Sequence, residues 1–261
     1  MNSTTPFLRR IASLLLGAIA IAVTPNAQAD DGASRFSFFG SGTRVTGSGK
    51  LATEARAIPP FQAIALRTSM KLVLRQGSRE GIELRGDDNL LALIDTTVVD
   101  RGGVPTLEIA AKKGSSFSTR NEIVATVDLV SLRSLSISGS GDVVGEALKT
   151  PGLAVAISGS GNVRLKQLAA DEVSARVSGS GDIVFAGRAA KLVVSISGSG
   201  DVDARGLEAD DVTIRIAGSG DANVHARKTL AVSIAGAGDV KYKGDAAVRS
   251  SIAGAGKVSK E

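Results

Sequence analysis

One short phrase limits what this chain can fold into more than any other feature. An apolar alternation, then Gly-Ser-Gly or Gly-Ala-Gly, then usually Asp-Val, is written seven times between Leu135 and Val258. The first glycine of each copy is Gly139, Gly159, Gly179, Gly198, Gly218, Gly236 and Gly254, so successive spacings are 20, 20, 19, 20, 18 and 18 residues. A period that short fits one coil of a solenoid.

Counted back from that glycine, the apolar positions fall at two, four and six residues, as in Ile157, Val155 and Leu153 or Ile196, Val194 and Leu192. Period two is the mark of a strand with one face in a core. Four residues after the glycine the apolar position returns, as Val143, Val163, Ile183, Val202, Ala222, Val240 and Val258. The chain therefore bends at the glycines, which can take positive φ, and continues as a second strand. A coil of this length cannot bury its own apolar edge and must stack on the next, so seven rungs at roughly 4.8 Å make a rod of about 34 Å. The expected fold is all-β: a parallel β-helix or solenoid with about 18–20 residues per coil, seven regular coils over residues 131–261, and irregular coils over 58–130 that cap the stack.

Met1–Ala29 has the form of a cleaved export leader: Arg9 and Arg10, an apolar run from Ile11 to Val23, and the small-residue site Ala27-Gln28-Ala29. The run is short for a bilayer span, which needs about 20 residues. No membrane anchor is expected once the leader is removed. The mature chain is then expected in the periplasm or secreted by a bacterium, through ordinary secretion more than through a twin-arginine route. Of 31 basic residues the leader holds two, which leaves 29 against 26 acids, a formal charge of +3. The basic residues are scattered and not interleaved with aromatics, which argues against nucleic acid as a partner. Cysteine is absent. Disulfides, thiolate metal sites and a lipidated cysteine are thereby excluded.

Residues 30–57 are rich in Gly, Ser and charge and are expected to be flexible linker, because Gly40-Ser41-Gly42 and Gly47-Ser48-Gly49 lack the preceding alternation. Phe36, Phe38 and Phe39 are expected to dock on the folded body. Strands are expected at Phe61–Leu66, Met70–Gln76, Gly81–Arg85, Thr106–Ala111 and Ile123–Val130, with a polar loop over Lys112–Asn121. Between Asp87 and Asp100 the pattern fits a helical turn or a strand equally.

Phe61-Gln62-Ala63-Ile64, Val73-Leu74-Arg75-Gln76-Gly77, Gly86-Asp87-Asp88-Asn89-Leu90 and Leu107-Glu108-Ile109 precede the repeated Ile-Ser-Gly-Ser-Gly-Asp-Val phrases. Together, over about Ala57 to Ser259, they resemble the putative auto-transporter adhesin head domain, the GIN domain. The resemblance implies a β-solenoid on an exported bacterial protein and brings no catalytic residues. No membrane barrel of the kind an auto-transporter uses for its own export is expected in this chain.

Two ladders follow from stacking. Asp142, Asn162, Asp182, Asp201, Asp221, Asp239 and Lys257 each follow a glycine triplet. Carboxylates about 5 Å apart repel by roughly 0.8 kcal/mol per pair in water, so something must neutralise them. Backbone N–H groups at the glycine turn are the expected partners, since Asn162 serves that role as well as Asp. Calcium is the other reading, but one such residue per coil supplies too few oxygens. No metal site or cofactor is therefore assigned. The second ladder is Ser138, Ser158, Ser178, Ser197, Ala217, Ala235 and Ala253, beside Ser140, Ser160, Ser180, Ser199, Ser219, Ala237 and Ala255. Small residues let coils approach closely; they also leave a flat face for a sister subunit or a polymer.

Enzymatic readings have less to stand on. His225 is the sole histidine, between Val224 and Ala226, and no nucleophile has a local base. Sugar-cleaving β-helices need clustered carboxylates, and tryptophan is absent. The sequence thus points to an exported, non-enzymatic binding, adhesin-like or envelope structural module, with no catalytic residues assigned. A polysaccharide-binding or lyase-like protein is the alternative. The expected partners are a second copy of the chain and a cell-envelope glycan or protein.

Overall fold

A computed structural model describes residues 43–261. The expected leader, the first part of the expected linker and the three-phenylalanine cluster lie outside the described residues. In chain order the elements are β1 (Thr43–Thr46), β2 (Leu51–Arg56), β3 (Ala63–Leu66), β4 (Lys71–Gln76), β5 (Gly81–Asp87), α1 (Asp88–Leu91), β6 (Ile94–Asp100), β7 (Pro105–Ala111), β8 (Ser115–Ser118) and β9 (Val124–Leu129). Then come β10 (Ser134–Gly139), β11 (Asp142–Gly159), β12 (Asn162–Gly179), β13 (Ile183–Gly198), β14 (Val202–Gly218), β15 (Ala222–Gly236), β16 (Val240–Lys243), β17 (Ala247–Gly254) and β18 (Val258–Lys260).

From β10 onward each copy of the phrase pairs in parallel with the next, glycine on glycine: Gly139 with Gly159, Gly159 with Gly179, Gly179 with Gly198. The stack is the expected parallel β-solenoid, and its seven glycine bends enclose about six turns. Each turn has three straight runs. In β11 they are 142–145, 147–150 and 152–159, because the pairing with β12 skips Glu146 and Pro151. Val143, Leu148, Leu153, Val155 and Ile157 point inward and are buried; the inward positions of the first and third runs stay buried on every coil through β15, while the second run has the half-buried Gly187 on β13 in the place of Leu148. These positions join one apolar column, with Phe185 its largest side chain among the regular coils. The variation between 18 and 20 residues per coil is absorbed at the corners, where the register slips after Leu165, Val184 and Ala204 between the first and second runs and after Ala209 between the second and third. The glycine bends stay aligned throughout.

The two ends differ. At the N-terminal end β7 and β9 continue the parallel ladders by pairing with β3 and β4, and antiparallel strands then close them: β6 on β7, β5 on β9, and β2 on β5. The stretch from Asp87 to Asp100 is both things the sequence allowed, the helical turn α1 and then strand β6. Arg56 ties this cap together by donating to the carbonyls of Ile94 at 2.6 Å and Leu91 at 2.8 Å. At the C-terminal end, among the described residues, β17 pairs only with β15 and β18 only with β16.

Two sequence expectations are corrected. Residues 43–57 are not linker, since β1 pairs with β8 and β2 with β5. The expected polar loop over 112–121 likewise contains β8. Both errors have one cause: these strands gain order from partners distant in sequence and from a polar lock, not from an alternating apolar face. In that lock Ser48 donates its backbone N–H to Asn89 Oδ1 at 2.9 Å and its hydroxyl to Asp88 Oδ1 at 2.6 Å. Asn89 in turn donates to the carbonyl of Thr46. Asp87 is 1% exposed and accepts from the Thr119 hydroxyl and the Asn121 amide. Those bonds, that of Thr119 foremost, hold its carboxyl below the usual aspartate range against the opposing effect of burial. Gly47 is required beside it, because an added Cβ would stand 1.9 Å from Asp87 Oδ2.

Candidate binding face

The aspartate ladder is where the sequence left chemistry open. Each rung solves its own charge problem by hydrogen bonding upward: Asp182 Oδ1 accepts the N–H of Asp201 at 3.0 Å, Asp201 that of Asp221 at 2.8 Å, Asp221 that of Asp239 at 2.7 Å, and Asp239 that of Lys257 at 2.9 Å. Asn162 takes part in the same series, donating to Asp142 and accepting from the N–H of Asp182. The partner is the N–H of the next coil and not of the residue's own turn, so the bond joins coils. Among the described residues no group of three or more His, Cys, Asp or Glu side chains converges as a metal site would.

The long third run of each turn carries the other feature. From β10 to β17 its last three outward columns, Ala154, Ala156 and Ser158 in β11, and the residue in the glycine bend are Ser, Ala or Thr, with Val193 and three arginines, Arg176, Arg215 and Arg249, as the exceptions. No acid lies within these three columns; the nearest, Glu172 and Asp211, stand in the first outward column of the run, at its border. Arg176 is on β12, Arg215 on β14 and Arg249 on β17, which places them on alternate rungs about 10 Å apart along the stack. All three are exposed, and none has an ion-pair partner among the described residues. Elsewhere the surface charges pair across coils, as Lys191 with Glu172 at 3.0 Å, Lys166 with Glu146 at 2.7 Å and Lys228 with Asp210 at 2.9 Å. The flat serine–alanine ladder read from the sequence is the margin of this face. The arginines were missed because they recur at every second coil, in two different columns, and no single repeat shows them.

His225 is half-buried on β15, in a shallow depression with Arg188, Glu208, Arg227 and Asp245. It has no nucleophile or metal partner among the described residues. No helix among the described residues is long and apolar enough to cross a membrane.

Stacked parallel coils, an antiparallel cap and a broad flat face define a β-solenoid of the kind that presents surface to a partner. The chain belongs to the family described as "Putative auto-transporter adhesin, head GIN domain", whose model matches residues 60–246. Among solved structures it is similar to a putative adhesin from Bacteroides fragilis, at 28% identity and a TM-score of 0.77, over 83% of this chain and 100% of that one. A putative adhesin from Parabacteroides merdae matches at 26% identity and a TM-score of 0.68, over 84% and 99%. A putative lipid binding protein from Parabacteroides distasonis matches at 26% and 0.67, over 84% and 100%. No curated protein matches the chain.

Proposed function

We propose that this protein is an exported, non-enzymatic, adhesin-like module that holds an extended acidic partner, a cell-envelope glycan, along its flat face. The observation that carries the reading is the three neighbouring acid-free columns of small side chains bearing Arg176, Arg215 and Arg249 on alternate rungs. Small outward residues let a polymer lie close to the sheet. Guanidinium groups without internal partners are free to bind its carboxylates or phosphates, often two bonds at a time. Export is supported by the form of residues 1–29 and by the absence of cysteine. Family membership supports an envelope or extracellular setting.

The test is binding of the purified protein to isolated envelope polysaccharides, acidic and neutral, with the triple variant Arg176→Glu, Arg215→Glu, Arg249→Glu as comparison. Wild type is expected to retain acidic polymers, more weakly as salt rises, and the triple variant to lose them at least tenfold. Equal binding by both proteins overturns the assignment of the face. A preference for nucleic acid or for lipid vesicles over every glycan overturns the ligand class.

A further inference from the structure

The C-terminal coil is finished on one side and open on the other. β17 is exposed along its whole length, and its inward-directed Val248 and Ile252 remain 37% and 42% exposed. They stand in register on Leu230 and Ile234, which are buried one coil below. A bare strand edge over an open apolar column is the situation that solenoids close with a polar terminal repeat. Among the described residues nothing closes it here, whereas the N-terminal end is sealed by β2, β5 and β6.

We infer that this coil is the docking surface for a second copy of the chain, joined end to end about a two-fold axis through antiparallel pairing of the two β17 edges. The side chains choose the register. Inward residues must oppose inward residues, since paired residues of an antiparallel ladder point to the same side. Centring the pair on Ser250 sets Val248 against Ile252 of the partner subunit and Arg249 against Ser251 of the partner subunit. A shift that centres it on Arg249 sets like charges face to face, and one that centres it on Ser251 sets Val248 against glycine. The first arrangement alone joins apolar to apolar and separates the arginines. Head-to-tail stacking finds no equivalent, because the N-terminal end offers antiparallel cap strands and no open parallel rung. A two-fold join closes with two copies. It also leaves both flat faces on the same side as one continuous sheet, doubling the row of arginines whatever ligand they take.

The test uses the full chain, produced with its leader and purified after export. Sedimentation over a wide concentration range is expected to show a monomer–dimer equilibrium, and Ile252→Lys to raise the dissociation constant at least tenfold. Because the chain has no cysteine, Ser250→Cys provides an independent readout. Residues opposite each other across an antiparallel pair have Cα atoms about 4.5–5.5 Å apart, within the span of a disulfide. Oxidised Ser250→Cys is expected to run as a covalent dimer, and Arg249→Cys and Ser251→Cys to cross-link far less. A monodisperse monomer at every concentration, as when residues before 43 cover the end, overturns the inference. So does a dimer that Ser250→Cys fails to lock.

Discussion

At Gly198 φ is 134°, and an added Cβ would stand 2.4 Å from the carbonyl oxygen of Gly179 on the coil below. Positive φ and rung-to-rung contact demand glycine there for separate reasons, so Gly198→Ala is expected to cost at least about 1–3 kcal/mol. Gly77→Ala is the control, since nothing lies near its Cβ position. Urea unfolding of the two variants measures the difference. Three residues on, the aspartate ladder calls for an acceptor and not for a charge. Asp201→Asn is expected to fall within a few tenths of a kcal/mol of wild type and Asp201→Ala to lose about 0.5–1.5 kcal/mol, the worth of one net hydrogen bond. The melting midpoint should be the same in calcium and in a chelator; a rise of many degrees in calcium would show that the ladder binds metal. Asp87 behaves differently because its charge is buried. Its folded pKa lies below the unfolded value, so its contribution to stability is complete above the ordinary aspartate range, near 3.9, and is lost as pH falls through the lower folded value. Urea midpoints measured from pH 7 to pH 2 are expected to drop below about pH 4 in wild type, and less steeply in Asp87→Asn.

Among elements, the long strands β11 to β15 act as a unit because each is zipped to its neighbours along nearly its whole length. Ile196 lies in the middle of that unit and is 1% exposed. Ile196→Arg puts an unpaired charge into a column with no polar partner. Coils on both sides are expected to lose order together, because each depends on its neighbour for its apolar contact. Loss of protection from hydrogen exchange across β12, β13 and β14 in that variant is the signature; an unchanged thermal melt would overturn the inward assignment. The polar lock around Ser48, Asp88 and Asn89 shows the opposite design. There two short strands are held by side-chain hydrogen bonds between positions about 40 residues apart.

For the molecule as a whole, the contrast between its ends sets the order of opening. Among the described residues each interior coil has a neighbour on both sides, the first coils have an antiparallel cap, and the last has one neighbour only. Hydrogen exchange is expected to be slowest through β11 to β14 and fastest in β17 and β18 in dilute protein, with the β17 amides becoming slower as concentration rises and two copies meet. Protection of β17 that is already maximal in dilute protein would show the edge to be covered within one chain.

The sequence by itself determined the repeating half of this protein. A glycine that must take positive φ, an apolar alternation of period two and a fixed spacing leave a stacked β-coil as the solution, and each is a local property repeated until it is unmistakable. The aspartates were legible as backbone acceptors for the same reason, since Asn162 stands in for one of them. Tertiary structure alone decided that each accepts from the following coil, that 43–57 is strand, and that the ends are closed at one side and open at the other. These depend on partners tens of residues apart: Ser48 with Asn89, β1 with β8, Arg56 with the carbonyls around α1. The arginines belong to the same class. In the sequence Arg176, Arg215 and Arg249 are three scattered charges, and only the stacking of coils puts them on one face.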